Sequence, residues 1–214
     1  MLTFLHGFLG MNEDWEGIIE RLSAPYRCIT LPGHRERCLD LNDFEDEIGN
    51  DVTLVGYSMG GRLAMHYAKK YPHRVKKLIL LSANPGEEGE KRLQQDEKWA
   101  RLLEAEGMDR FLDQWYAQSL FAGLHINRER RRHDPLMLAE VIRKFSPARL
   151  PNLWPELENF SCPMMFLFGE NDIKYRLIGE RLQEQFPVAW IPTSGHAIHL
   201  ENPKKCARYI MEAL

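Results

Sequence analysis

The chain has 214 residues, 44% hydrophobic and 28% charged, enough for one domain with a sizeable core. Its formal net charge of −3 gives no footprint for nucleic acid, and no apolar run reaches the ~18 residues of a bilayer span. Cys28, Cys38, Cys162 and Cys206 are scattered without C-x-x-C spacing, and Met1 to Leu5 lacks the basic flank of a signal peptide, so neither zinc nor disulfides are expected and the setting reads as cytoplasmic.

In chain order, residues 2–5 read as a first strand, ending in His6-Gly7-Phe8-Leu9-Gly10. A helix is predicted over 15–22, where Ile18, Ile19 and Leu22 share one face. Residues 26–31 form a second strand closed by Pro32-Gly33-His34, and the acidic stretch 40–47 a short helix. Residues 51–55 read as a buried strand, followed by Gly56-Tyr57-Ser58-Met59-Gly60 and a helix over 61–70 that stops at Pro72. Residues 75–81 form the clearest strand, continuously apolar after Lys76 and Lys77. Apolar strands alternating with helices predict a mostly parallel sheet covered on both faces.

From residue 87 to 158 the pattern changes to charge, leucine and tryptophan. Leu93, Trp99, Leu102 and Leu103, then Phe111, Leu112, Trp115 and Tyr116, then Leu138, Val141, Ile142 and Phe145 mark amphipathic helices. This predicts a helical cap over 87–158, inserted into an α/β core made of 1–86 and 159–214. The strand pattern resumes over 164–168 and 188–191, with helices over 176–185 and, from Pro203, over 204–214.

Strand, G-x-S-x-G and helix together describe a nucleophile elbow, with Ser58 at the apex of a tight turn. A serine hydroxyl needs a histidine to take its proton, and the histidine needs a carboxylate to orient it. Asp172 follows the 164–168 strand and His196 follows the 188–191 strand, in the chain order of an α/β-hydrolase triad. Glu170 is the competing acid, placed less favourably beside the strand end. A developing oxyanion needs backbone N–H donors, which Met59 and Phe8 would supply. Each residue alone has a plainer reading: Ser58 as a turn serine, Asp172 as a helix cap, His196 as one of eight histidines. His6 reads as ordering the oxyanion loop, and His66 and His199 as surface or packing residues.

His6-Gly7-Phe8-Leu9-Gly10 with Trp15, Leu31-Pro32-Gly33-His34, Gly56 to Arg62, Gly169-Glu170-Asn171-Asp172-Ile173-Lys174-Tyr175 and Gly195-His196-Ala197-Ile198-His199-Leu200-Glu201 are similar to α/β-hydrolase fold proteins. Arg62, Lys174-Tyr175, Ala83-Asn84-Pro85-Gly86 with Arg92, Asp96 and Trp99, and Phe111, Trp115 and Tyr116 more narrowly resemble the 2-succinyl-6-hydroxy-2,4-cyclohexadiene-1-carboxylate (SHCHC) synthases of menaquinone biosynthesis. The resemblance covers nearly the whole chain. It implies a cytoplasmic lyase that expels pyruvate, with Ser58, His196 and Asp172 as a base and with no metal or organic cofactor. It also implies a small-molecule carboxylate substrate held by Arg62, Arg92 and one arginine of 128–132, with Tyr57, Trp115 and Tyr175 lining the site. Guanidinium forks suit such a substrate because they bind carboxylates bidentately.

Spacing from Pro135 favours Arg130 in that run, against the alternative of a solvated basic face. Compared with the family's usual sheet, the first one or two strands are missing, and the segment between His34 and Asp51 is short. A carboxylic-ester hydrolase, for example an acyl-carrier-protein methyl esterase, uses the same triad and stands as the alternative, and a binding protein on the same fold as a third. The oligomeric state is left open.

Overall fold

A computed structural model describes residues 1–125 and 127–214. The strands are β1 (Leu2–Leu5), β2 (Tyr26–Ile29), β3 (Val52–Tyr57), β4 (Val75–Leu81), β5 (Met164–Gly169) and β6 (Val188–Ile191). They form one sheet in the order β2-β1-β3-β4-β5-β6, with every neighbouring pair parallel. The chain runs outward from β1 to β2, then returns to the other side of β1 and builds the rest of the sheet. Loops leaving the C-terminal ends of β1 and β3 therefore diverge at the reversal, where open α/β sheets place their sites.

The alternation of side chains divides the core. Leu54, Leu78, Leu80, Phe166 and Phe168 point to one face, where α2 (Leu41–Ile48), α3 (Met59–Lys70) and α6 (Ile173–Leu182) lie. Phe4, Val55, Ile79, Leu81 and Ile191 point to the other, against Trp15, Ile18, Cys206 and Ile210. Those last four belong to a 3-10 turn at Asn12–Trp15, α1 (Glu16–Ile19) and α8 (Pro203–Glu212), with α7 (Ile198–Glu201) beside them. Both faces are covered, which explains why the strands read as continuous apolar runs. The four cysteines are free, and no helix of the described residues is long and apolar enough to cross a membrane.

Between β4 and β5 the described residues contain helices only: α4 (Glu90–Tyr116), α5 (Pro135–Lys144) and short 3-10 turns at Ser119–Phe121, Arg128–Arg132 and Trp154–Asn159. The two apolar groups expected as separate helices, around Trp99 and Trp115, fall on two helical segments of α4 that meet at a kink at Gly107, where φ is 70°. A left-handed residue cannot continue a helix, and only glycine adopts that conformation without strain. α4 packs on α5, and Arg143 ties them by donating to Glu97 at 2.9 and 3.1 Å and to Glu104 at 3.0 Å.

Several predicted boundaries shift by one to three residues, two of them with a visible cause. The helix expected over 15–22 is a 3-10 turn plus one α-turn ending at Ile19, because the chain must reach Pro25 and enter β2. The helix expected from 176 starts at Ile173, since the Asp172 carboxylate caps it by accepting from the Tyr175 N–H at 3.1 Å.

Candidate active site

Ser58 sits between β3 and α3 with φ 49° and ψ −108°, a conformation that costs a residue with a Cβ about 1–3 kcal/mol. The surroundings enforce it. The Ser58 N–H donates to the Leu81 carbonyl at 2.9 Å, and the Ser58 carbonyl accepts from the Arg62 N–H at 3.0 Å as α3 begins. Gly56 and Gly60 permit the turn by contact: a Cβ on Gly56 would lie 2.6 Å from Gly61 Cα, and one on Gly60 would strike the Leu5 and His6 carbonyls. The helix is thereby pressed onto the end of β1.

His196 Nδ1 lies 2.7 Å from Asp172 Oδ2, and its Nε2 lies 3.3 Å from Ser58 Oγ. With Nδ1–H donated to the carboxylate, Nε2 is free to accept the serine proton. Asp172 and His196 are both buried, while Glu170, the competing acid, is exposed. The histidine loop is fixed at its backbone. Ser82 donates its hydroxyl to the His196 carbonyl at 2.8 Å, and Glu201 accepts from the Gly195 and Ala197 N–H groups at 2.6 and 2.9 Å. Ser82 was not legible in advance, because its role depends on β4 and the last loop meeting in space.

Phe8 and Met59 lie on either side of the switch point, Met59 at the first position of α3 and Phe8 in the loop after β1. Among the described residues neither N–H donates to a protein acceptor. Three buried histidines surround the Phe8 loop. His6 Nδ1–H donates to the Gly7 carbonyl at 2.8 Å and Nε2 accepts from Leu31 at 3.0 Å. His34 Nδ1–H donates to Pro32 at 3.1 Å and Nε2 accepts from Leu9 at 3.2 Å. His133 Nδ1 accepts from Arg35 at 3.0 Å and Nε2–H donates to the Leu9 carbonyl at 3.2 Å. Each ring accepts one backbone N–H, so each must be neutral.

The pocket above Ser58 is lined by Phe8, Tyr57, Trp115 and Tyr175 together with Arg62, Arg92 and Arg130. Trp115 packs against Phe8 with ring centres 5.0 Å apart, and Tyr175 lies 4.4 Å from the His196 ring. The three arginines differ in a way their sequence positions did not distinguish. Arg92 Nε donates to both Asp96 oxygens at 2.9 and 3.0 Å and Nη1 to Glu87 at 3.1 Å. Arg130 grips Asp14 with two bonds of 3.0 Å and also donates to the Leu9 carbonyl. Arg62 is 7% exposed, yet among the described residues its guanidinium has no hydrogen bond or ion pair, and Nε is fully buried without a partner. Burial pushes its pKa down and nearby Arg92 adds to that, while Tyr175, Asp96 and Glu87 oppose. The charge persists because guanidinium holds its proton throughout the physiological range.

His199, expected at the surface or in packing, is buried between Trp15 and Tyr57, with ring centres 5.0 and 4.1 Å away, and also lines the pocket. Burial lowers His6 and His133 to about 4, His199 to about 3 and His34 well below its ordinary value. The unfolded chain takes up protons near pH 6.5 while the folded chain does not, so stability is present above that pH and is lost as pH falls toward 4. Each of these histidines removes up to ~1.4 kcal/mol per pH unit in that window. The thermal midpoint is expected to fall steeply between pH 6.5 and 4.5, above the range where carboxylates titrate. A flat profile there would mean that the rings are not held neutral.

A model of the alpha/beta hydrolase family matches residues 4–209. The chain is 31% identical to the 2-succinyl-6-hydroxy-2,4-cyclohexadiene-1-carboxylate synthase of Serratia proteamaculans (strain 568), over 96% of this chain and 89% of that protein. It is 29% identical, over 94% of its length, to Protein PHYLLO, chloroplastic, of Arabidopsis thaliana, and spans 14% of that much longer protein. The solved structure of MenH from S. aureus superposes with a TM-score of 0.84 at 29% identity, covering 99% of this chain and 91% of that one.

Proposed function

This chain belongs to the alpha/beta hydrolase family, and from that premise we propose that it is an SHCHC synthase-like lyase that eliminates pyruvate from a polycarboxylate. The observation that carries the reading is Arg62: a buried guanidinium without a partner among the described residues, one helical turn from Ser58 and lining the same pocket. A mostly buried guanidinium costs free energy unless paired, and a ligand carboxylate entering the pocket is a group that pairs it bidentately. The similarity to named SHCHC synthases over nearly the full chain supports the same substrate class.

In this reading His196, oriented by Asp172, takes the Ser58 proton, and Ser58 Oγ removes a proton from the bound substrate. Electrons flow into the ring system as the carbon–oxygen bond to the enolpyruvyl unit breaks; the departing oxygen takes the proton now on His196, which resets the triad, and the released enol tautomerises to pyruvate. The Phe8 and Met59 N–H groups stabilise the oxygen that carries charge during the step. Arg62 holds a carboxylate, while Arg92, whose charge is offset by Asp96 and Glu87, lines the same pocket. Tyr57, Tyr175 and Trp115 shape the walls and exclude water. Arg130, engaged by Asp14 and the Leu9 carbonyl, lines the pocket as well.

The same triad can attack an ester carbonyl, and the competing reaction leaves a covalent acyl-Ser58. The two are separated by comparing pyruvate release from the SHCHC precursor with hydrolysis of p-nitrophenyl esters. Lyase turnover is expected to exceed ester turnover in kcat/KM by at least about 10²-fold, since only the polycarboxylate engages Arg62. Faster ester hydrolysis, with acyl-enzyme detected by mass spectrometry, would replace the lyase reading with the hydrolase one.

A further inference from the structure

The loop that carries the Phe8 N–H is held by one histidine for each of three consecutive peptide groups, and the third of these histidines comes from the helical insertion. The Gly7–Phe8 peptide is fixed at its carbonyl end, where Gly7 O accepts from His6 Nδ1 at 2.8 Å and from the Gly10 N–H at 2.9 Å. The Phe8–Leu9 peptide is fixed at its N–H, which donates to His34 Nε2 at 3.2 Å. The Leu9–Gly10 peptide is fixed at its carbonyl, which accepts from His133 Nε2 at 3.2 Å and from Arg130.

These three bonds act on the orientation of one donor. A peptide is planar and trans, so anchoring Gly7 O on one side directs the Phe8 N–H to the other. Gly10 N–H, one of the two groups that anchor Gly7 O, belongs to the very peptide that His133 holds. Leu9 also has φ 62°, a left-handed conformation that costs a residue with a side chain about 1–2 kcal/mol. Such a conformation persists only where its neighbours over-determine it. All three rings are buried and touch in sequence, His6 to His34 at 4.9 Å and His34 to His133 at 5.3 Å between centres.

We propose that His133 is a positioning residue for the elimination: by holding the Leu9 carbonyl it sets the Phe8 N–H toward the oxyanion. The inference rests on the oxyanion role given to Phe8 above. It makes the insertion part of the catalytic geometry as well as a wall of the pocket, since the 3-10 turn Arg128–Arg132 and His133 reach into the core loop.

Two substitutions dissect the ring. Glutamine places its amide nitrogen near the position of Nε2 and keeps the donor to Leu9. Asparagine places its oxygen near Nδ1, keeps the acceptor for Arg35 and loses the Leu9 bond. His133→Asn is expected to lower kcat for pyruvate release by about 10- to 100-fold, short of the 10²–10³ cost of deleting a whole oxyanion donor, with KM changed less than about twofold. His133→Gln should recover most of kcat. Hydrogen–deuterium exchange of the 6–10 segment should accelerate in the asparagine variant and stay near wild type in the glutamine variant.

Equal activity of the two variants, or a loss confined to KM, would overturn the proposal. So would unchanged exchange in 6–10, which is read without any substrate. If the wild-type protein releases no pyruvate, the lyase reading fails, and the exchange comparison still decides whether His133 holds the loop.

Discussion

Ser58→Gly is expected to abolish pyruvate release, by about 10³-fold or more, while raising the thermal midpoint by about 2–4 °C. The loss of activity follows from removing the oxygen that lies 3.3 Å from His196 Nε2. The gain in stability follows from the backbone. Ser58 is held at φ 49° and ψ −108°, where a Cβ costs about 1–3 kcal/mol and glycine costs nothing steric. Glycine forfeits about 0.5–1 kcal/mol through the freer unfolded chain, leaving a net gain near 1 kcal/mol. Ser58→Ala separates the two effects, since it removes the oxygen and keeps the strain, so its midpoint should not rise. A midpoint that falls with glycine would show that the elbow is not strained in the folded protein. Function and stability are thus opposed at this one residue, as expected where a turn is forced to present a nucleophile.

Arg62→Met is expected to stabilise the ligand-free protein by about 1–4 kcal/mol and to lower kcat/KM for the polycarboxylate by about 10²-fold or more. Methionine fills similar space without the cost of an unpaired buried charge. The stabilisation is specific to Arg62, because its guanidinium has no protein partner among the described residues. At Arg130 the same substitution should have the opposite sign, since it strands the buried Asp14 carboxylate and costs about 3–5 kcal/mol. A ligand arm completes the test by differential scanning fluorimetry. Succinate, as a simple dicarboxylate probe, should raise the midpoint of the wild type and leave Arg62→Met unmoved. A destabilised Arg62→Met protein, or an equal response to succinate, would contradict the assignment of Arg62 as the carboxylate anchor.

Much of the fold could be read from the sequence because it is written in local patterns. Apolar runs at 75–81 and 164–168 announce strands buried on both faces, and Gly56-x-Ser58-x-Gly60 lies where a strand meets a helix. Ser58, Asp172 and His196 were legible as candidates because each follows a strand in a parallel sheet. Such loops share one edge, and there the structure brings the three side chains within hydrogen-bonding reach.

What could not be read is the pairing of charges and the reach of long contacts. Arg62, Arg92 and Arg130 look alike in sequence; only packing decides that Asp96 and Glu87 neutralise one, Asp14 another, and none of the described residues the third. The kink at Gly107 is a partial case: the apolar groups around Trp99 and Trp115 read as separate helices, but an isolated glycine inside a helical pattern does not mark where they part. His133 lies 124 residues from the Leu9 carbonyl that it bonds, a separation for which no local pattern exists.

A triad built on Ser58 that works as a base beside a carboxylate anchor must release pyruvate from the SHCHC precursor, measured at steady state with wild type and Ser58→Ala assayed side by side. Turnover by the wild type, lost by about 10³-fold or more in the variant, is the predicted result. A wild-type rate no greater than background, or a Ser58→Ala rate equal to the wild type, would contradict it.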